Sequence, residues 1–148
     1  MSRSIRAVER GCRLIVVDPL VMKTSLLAGR DCQPRFQDPV TIDEALDRID
    51  RYDLVVVYWE RSTDDDQYDQ KLSDLVQRSV ANDSTMHIAL VFGPEGGLAD
   101  DEVAKFMDAG DNVVCASLGP TVLSCDTAAI AAITLVQSAV RRLLDSLH

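Results

Sequence analysis

Two short segments in the second half of the chain combine residues whose backbone could meet a ligand directly: Gly93-Pro94-Glu95-Gly96-Gly97 and Leu118-Gly119-Pro120. The glycines of the first admit positive φ and leave no side chain in the way, so N–H and C=O groups can approach a small molecule. Pro94 stiffens the turn and Glu95 is the one charged group inside it. A tight strand-to-helix connection has the same composition, so this segment alone leaves both readings open. It is not a Walker loop, because no Lys-Ser/Thr follows, and it lacks the GxGxxG spacing of dinucleotide-binding turns. The second segment continues through Thr121-Val122-Leu123-Ser124-Cys125-Asp126. Asp126, the only acid there, reads either as the N-cap of the helix that follows or as a contact to substrate or base.

These segments need elements to hold them. Apolar, β-branched runs at 13–18, 54–59, 87–92 and 112–118 read as strands, and the continuous run LVVVYW is that of a strand buried on both faces. Thr41-Ile42-Asp43-Glu44 reads as a capping box, opening a helix that continues through Leu46 and Ile49. Residues 66–81 place Tyr68, Leu72, Leu75, Val76 and Val80 on one helical face. Residues 99–109 do the same with Val103, Phe106 and Met107 and stop at Gly110, expected as a left-handed C′ glycine. The last helix, 126–145, is apolar on every side from Ala128 to Val140. Alternating strands and helices predict an α/β domain with a mainly parallel sheet and helices on both faces. The first segment then lies at the carboxyl end of a strand, where ligands bind in such sheets. The last helix is expected to be buried all round, with a partner subunit supplying part of the cover.

The 148 residues suit a single domain. No run is read as long enough to cross a bilayer, and the N-terminus shows no signal pattern, so a cytoplasmic protein without membrane association is expected. Cys12, Cys32, Cys115 and Cys125 form no CxxC pair and have no histidine at metal spacing, which predicts incidental thiols and no metal. A net charge of −9 opposes a polyanionic partner. The charge is uneven: residues 1–51 carry nine Lys/Arg against eight Asp/Glu, and residues 64–111 three against twelve. If nucleic acid binds, the first third is the better candidate.

The pattern V-F-G-P-E-G-G-L…D-E-V…A-G…S-L-G-P-x-V-L-x-x-D-T-A-A-I-A-A, over about residues 87–137, resembles the C-terminal catalytic domain of the bacterial 16S rRNA uridine-N3 methyltransferases. Weaker likeness covers 5–25 and 29–45. These enzymes belong to the SPOUT class, which uses S-adenosylmethionine and carries a trefoil knot. The resemblance implies that the chain end from about Leu118 threads through the loop after strand 87–92, with strands 87–92 and 112–118 as parallel neighbours. It implies a cofactor site of Phe92, Gly93, Pro94, Glu95, Gly96, Gly97, Leu118 and Gly119, with Val122 and Leu123 packing the adenine, and a homodimer. A bulky side chain at Gly97, as in Gly97→Val, is expected to obstruct that site and spare the core.

The sequence departs from the family in its substrate half. The family's arginines are replaced by Thr121 and Ser124, a threonine by Cys125 and a glutamate by Asp126; the basic, aromatic stretch after Ser25 shrinks to Leu26-Leu27-Ala28. The family's N-terminal RNA-binding domain, resembling PUA or OB barrels, is expected to be missing. Three readings stand together: an RNA methyltransferase, with RNA reached through a partner; a dimeric protein that binds S-adenosylmethionine or S-adenosylhomocysteine without turnover; and a stable fold with neither.

Overall fold

A computed structural model of the chain describes residues 11–17, 35–36, 40–62, 65–82, 84, 86–93, 97–118 and 125–147. Its strands are β1 (Gly11–Val17), β2 (Arg35–Phe36), β3 (Val40–Thr41), β4 (Leu54–Tyr58), β5 (Ile88–Phe92) and β6 (Val113–Ala116). Its helices are α1 (Ile42–Asp47), α2 (Asp65–Asn82), α3 (Asp100–Ala109) and α4 (Cys125–Ser146). The sheet order is β2-β1-β5-β4-β6, with β3 also against β1. β4 pairs in parallel with both β5 and β6, whereas β1 is antiparallel to β5, β2 and β3. One strand therefore runs against the others in an otherwise parallel α/β sheet.

Alternation along the three parallel strands sorts their side chains onto two cores. Leu54, Val56, Ile88, Leu90, Phe92, Val114 and Ala116 face α2 and α4. Val55, Val57, Ala89, Val91, Val113 and Cys115 face α1 and α3. Helices thus cover both faces, which is why these strands read as unbroken apolar runs. Strands β5 and β6 are not neighbours as expected, because β4 lies between them. The reason is handedness. The β4-to-β5 crossover uses α2 on one face, and the β5-to-β6 crossover uses α3 on the other. Two right-handed crossovers on opposite faces step in opposite directions, so β6 must pass β4 and take its far side. The expected threading of the chain end falls on residues 94–96 and 119–124, outside the described residues.

Local departures have equally local causes. The Glu44 N–H donates to Thr41 Oγ1 at 3.1 Å, so the hydroxyl half of the expected cap is present. The helix ends at Asp47, and Ile49–Arg51 form a 3₁₀ turn instead. Asn112 Nδ2 donates to the Ile49 carbonyl at 3.2 Å and the Tyr52 carbonyl at 2.9 Å, drawing those groups out of any longer helix. Gly110 is extended, with φ −177, and not left-handed. It is small because a Cβ there would stand 2.6 Å from Asn112 Oδ1.

Helix α4 is not buried all round within one chain. Ala132, Ile133, Val136 and Val140 pack on the sheet, while Ile130 and Leu135 are 66% and 53% exposed. By length and composition alone its Thr127–Ser146 segment could cross a bilayer, contrary to the expectation that no run is long enough.

Candidate functional site

The carboxyl ends of β4, β5 and β6 meet at one edge, because Tyr58 is in register with Phe92 on one side and Ala116 on the other. The Trp59 N–H donates to the Ala116 carbonyl at 3.0 Å, carrying the ladder one residue further. The rings of Tyr58 and Phe92 stack with centroids 4.9 Å apart and planes 4° from parallel. Burial pushes the Tyr58 hydroxyl well above its ordinary pKa, and neighbouring Tyr68 adds to the effect. Tyr68 itself is raised to about 12, chiefly by burial and then by Asp69, with Arg142 pulling the other way. Both phenols stay protonated at neutral pH, so this side of the edge is an uncharged aromatic floor.

Gly93 comes close to Gly97 and Leu98 beyond the end of β5. A Cβ on Gly93 would lie 2.8 Å from Leu98 Cγ, 2.9 Å from the Leu98 nitrogen and 3.0 Å from the Gly97 carbonyl carbon. No larger residue fits without moving buried Leu98. Gly97 is required for a different reason: its φ of +78 is left-handed, and a Cβ there would meet nothing within 4 Å among the described residues. One glycine is required by crowding and the other by its backbone angle. The expected probe Gly97→Val is corrected on this ground, since a β-branched residue at positive φ strains the backbone regardless of ligand. Beyond Gly97, the Ala99 N–H donates to Glu102 Oε1 at 2.8 Å. Ala99 has no side-chain acceptor to return, so α3 starts half-capped, with Asp100, Asp101 and Glu102 facing its dipole.

Of the residues singled out in the sequence, Phe92, Gly93, Gly97 and Leu118 are placed at this edge. Leu118 is half-buried against the α2/α4 core. Pro94, Glu95, Gly96, Gly119, Thr121, Val122, Leu123 and Ser124 lie outside the described residues. Asp126 falls inside the first turn of α4, which starts at Cys125, and so is not its N-cap. No group of three or more His, Cys, Asp or Glu that could hold a metal occurs among the described residues. Sequence reasoning passed over Tyr58, Trp59 and Arg61, which lie at and just beyond the end of β4, the strand between β5 and β6. The signal was present: an aromatic pair, including the only tryptophan, ends the run LVVVYW.

A profile of the RNA methyltransferase domain matches residues 28–137, spanning both loops. The chain belongs to this family. Among the relatives of this RNA methyltransferase domain is ribosomal RNA small subunit methyltransferase E of Bacillus subtilis, 33% identical over 103 residues, or 70% of this chain and 38% of that protein. Proteins of the same name from Mycobacterium bovis and Mycobacterium tuberculosis are 53% identical over 49 residues, covering 33% of this chain and 18% of each. The chain therefore spans well under half the length of the curated relatives it matches. No solved structure matches it.

Proposed function

We propose that this RNA methyltransferase domain binds S-adenosylmethionine at the edge formed by Phe92–Gly97 and Leu118–Leu123, and that it serves methylation of uridine N3 in 16S rRNA. The observation that carries this is Gly97: a left-handed glycine where a Cβ would meet nothing within 4 Å among the described residues, following a parallel strand in a chain of this family. Such a donor fits a cradle of backbone groups. Phe92, Gly93, Gly97 and Leu118 would hold it together with Pro94, Glu95, Gly96, Gly119, Val122 and Leu123. When bound, it supplies an electrophilic methyl group. The chain's own task is to fix the uridine beside it, exclude water and accept or stabilise the loss of the N3 proton, for which Asp126 is the available carboxylate. The knotted threading, a homodimer formed across α4, a cytoplasmic location and RNA delivery by a partner belong to the same proposal. The exposed Ile130 and Leu135 support the dimer. Calorimetry with S-adenosylmethionine and S-adenosylhomocysteine tests the site: binding by neither would refute it.

A second reading, a dimeric protein that binds the donor without transferring its methyl group, is favoured by one observation. Thr121 and Ser124 stand where the resembled enzymes carry arginines. Neither hydroxyl can clamp phosphate bidentately or stabilise a developing uracil anion as a guanidinium does. Donor binding without methylation of 30S subunits separates the two.

A further inference from the structure

The loop leaving β4 carries a device that the two glycine loops do not contain. β4 is the central parallel strand, flanked by β5 and β6, so its outgoing segment emerges between the carboxyl ends of those strands. That segment turns at once, the Ser62 N–H donating to the Trp59 carbonyl at 3.0 Å. The turn brings the Arg61 guanidinium over the Trp59 ring, 5.0 Å from its centroid. Arg61 Nη2 also meets Asp100 Oδ1 at 2.6 Å. Asp100 opens α3, three residues after Gly97. The indole is anchored by packing against the α1/α3 core, while the Arg61 and Asp100 side chains remain 60% and 70% exposed.

We propose that Arg61, shelved on Trp59, is an RNA-contacting residue of this domain, exchanging Asp100 for a phosphate of a single-stranded RNA segment. The inference rests on the methyltransferase reading above and adds the residue that holds the nucleic acid. The chemistry favours the exchange. An exposed carboxylate–guanidinium pair is worth little, about 0–1 kcal/mol, so Asp100 orients Arg61 without holding it fast. A phosphate accepts the same two-pronged donor set, and the indole keeps the guanidinium plane from collapsing onto the surface. A cation placed here would serve where Thr121 and Ser124 supply none.

The test measures binding of a labelled, uridine-rich single-stranded RNA oligonucleotide to the full chain across a salt series, beside calorimetry with S-adenosylmethionine. For Arg61→Ala the affinity should fall about five- to tenfold. The slope of log K against log salt should shrink by about 0.7, the signature of one lost phosphate contact on a single strand. Arg61→Lys should keep the slope and lose part of the affinity. Asp100→Asn should bind RNA as well as the parent or better, and donor affinity should stay unchanged in all three. Unchanged RNA affinity and slope in Arg61→Ala, or no RNA binding by the parent chain, would overturn the proposal. So would an equal loss of donor affinity in Arg61→Ala and Asp100→Asn, which would make the pair a latch for the 93–97 loop. Failure of the parent to bind S-adenosylmethionine refutes the donor-site reading, a separate outcome on a separate readout.

Discussion

Two glycines four residues apart perform opposite tasks, and substitutions separate them. Gly93 is hemmed in by Leu98 and Gly97, so Gly93→Ala should destabilise the fold by about 1–3 kcal/mol through overpacking, visible as a lower urea midpoint. Gly97 is left-handed, and a Cβ there would meet no described atom within 4 Å. Asparagine tolerates that conformation better than other L-residues, so Gly97→Asn should keep the urea midpoint near that of the parent and weaken S-adenosylmethionine binding at least tenfold by calorimetry. Unaltered donor affinity in a folded Gly97→Asn protein would move the site elsewhere. The sequence singled out these glycines, although a GPEGG string after an apolar run suits a tight strand-to-helix connection as well as a ligand loop. It could not show which glycine is crowded, since that depends on where Leu98 packs. Nor could it show Arg61 beside Asp100, residues 39 positions apart that meet only because β4 and β5 are parallel neighbours.

The strands and helices were legible because burial on both sheet faces writes unbroken apolar runs, and amphipathic helices write spacings of three and four. Strand order was not legible: it follows from which face each crossover helix takes, and nothing in the β5–α3–β6 sequence names that face. The pairings of β2 and β3 were missed because two-residue strands leave no periodic trace. Helix α4 misled in its own way, since Ala128 to Val140 carries no charge and is mostly apolar, yet only one side of it finds the sheet. If a second copy covers the rest, Ile130→Asp with Leu135→Asp should turn a dimer into a monomer by sedimentation and leave the far-UV helix signal intact. A parent chain already monomeric at micromolar concentration contradicts that assembly. Where α2 and β4 meet, Tyr58 and Tyr68 make stability sensitive to alkali. Their folded pKa values lie above the ordinary 10.0, with Tyr68 at about 12. The protonated phenol is therefore favoured by folding. Its contribution is complete below pH 10 and is lost as pH rises toward and through about 12. The urea midpoint should fall over that window, and less steeply in Tyr68→Phe, because the substitution removes one of the groups that ionises.

A domain with net charge −9 must approach a polyanion against its own field, and that bears on what it can catalyse alone. The chain as it stands is expected to methylate 30S subunits or 16S rRNA poorly or not at all, even with saturating donor. One deficit acts before chemistry: the acidic surface lowers RNA affinity most at low salt. High RNA concentration or a basic partner can offset it. The second deficit acts on the reaction itself. Deprotonating N3 leaves negative charge on the uracil, and Thr121 and Ser124 place hydroxyls where the resembled enzymes place guanidinium groups. Losing a charge-assisted contact in a water-excluded site costs roughly 2–4 kcal/mol, or about 10²–10³ in rate, and no excess of RNA restores it. Thr121→Arg combined with Ser124→Arg should therefore raise the rate at saturating RNA by a larger factor than it improves RNA affinity. Methyl transfer from labelled S-adenosylmethionine, followed as a function of RNA concentration, resolves the two factors. If the unsubstituted chain already turns over 16S rRNA at a rate ordinary for such enzymes, those positions are not essential. Asp126, or a residue of the first third of the chain, then carries the chemistry.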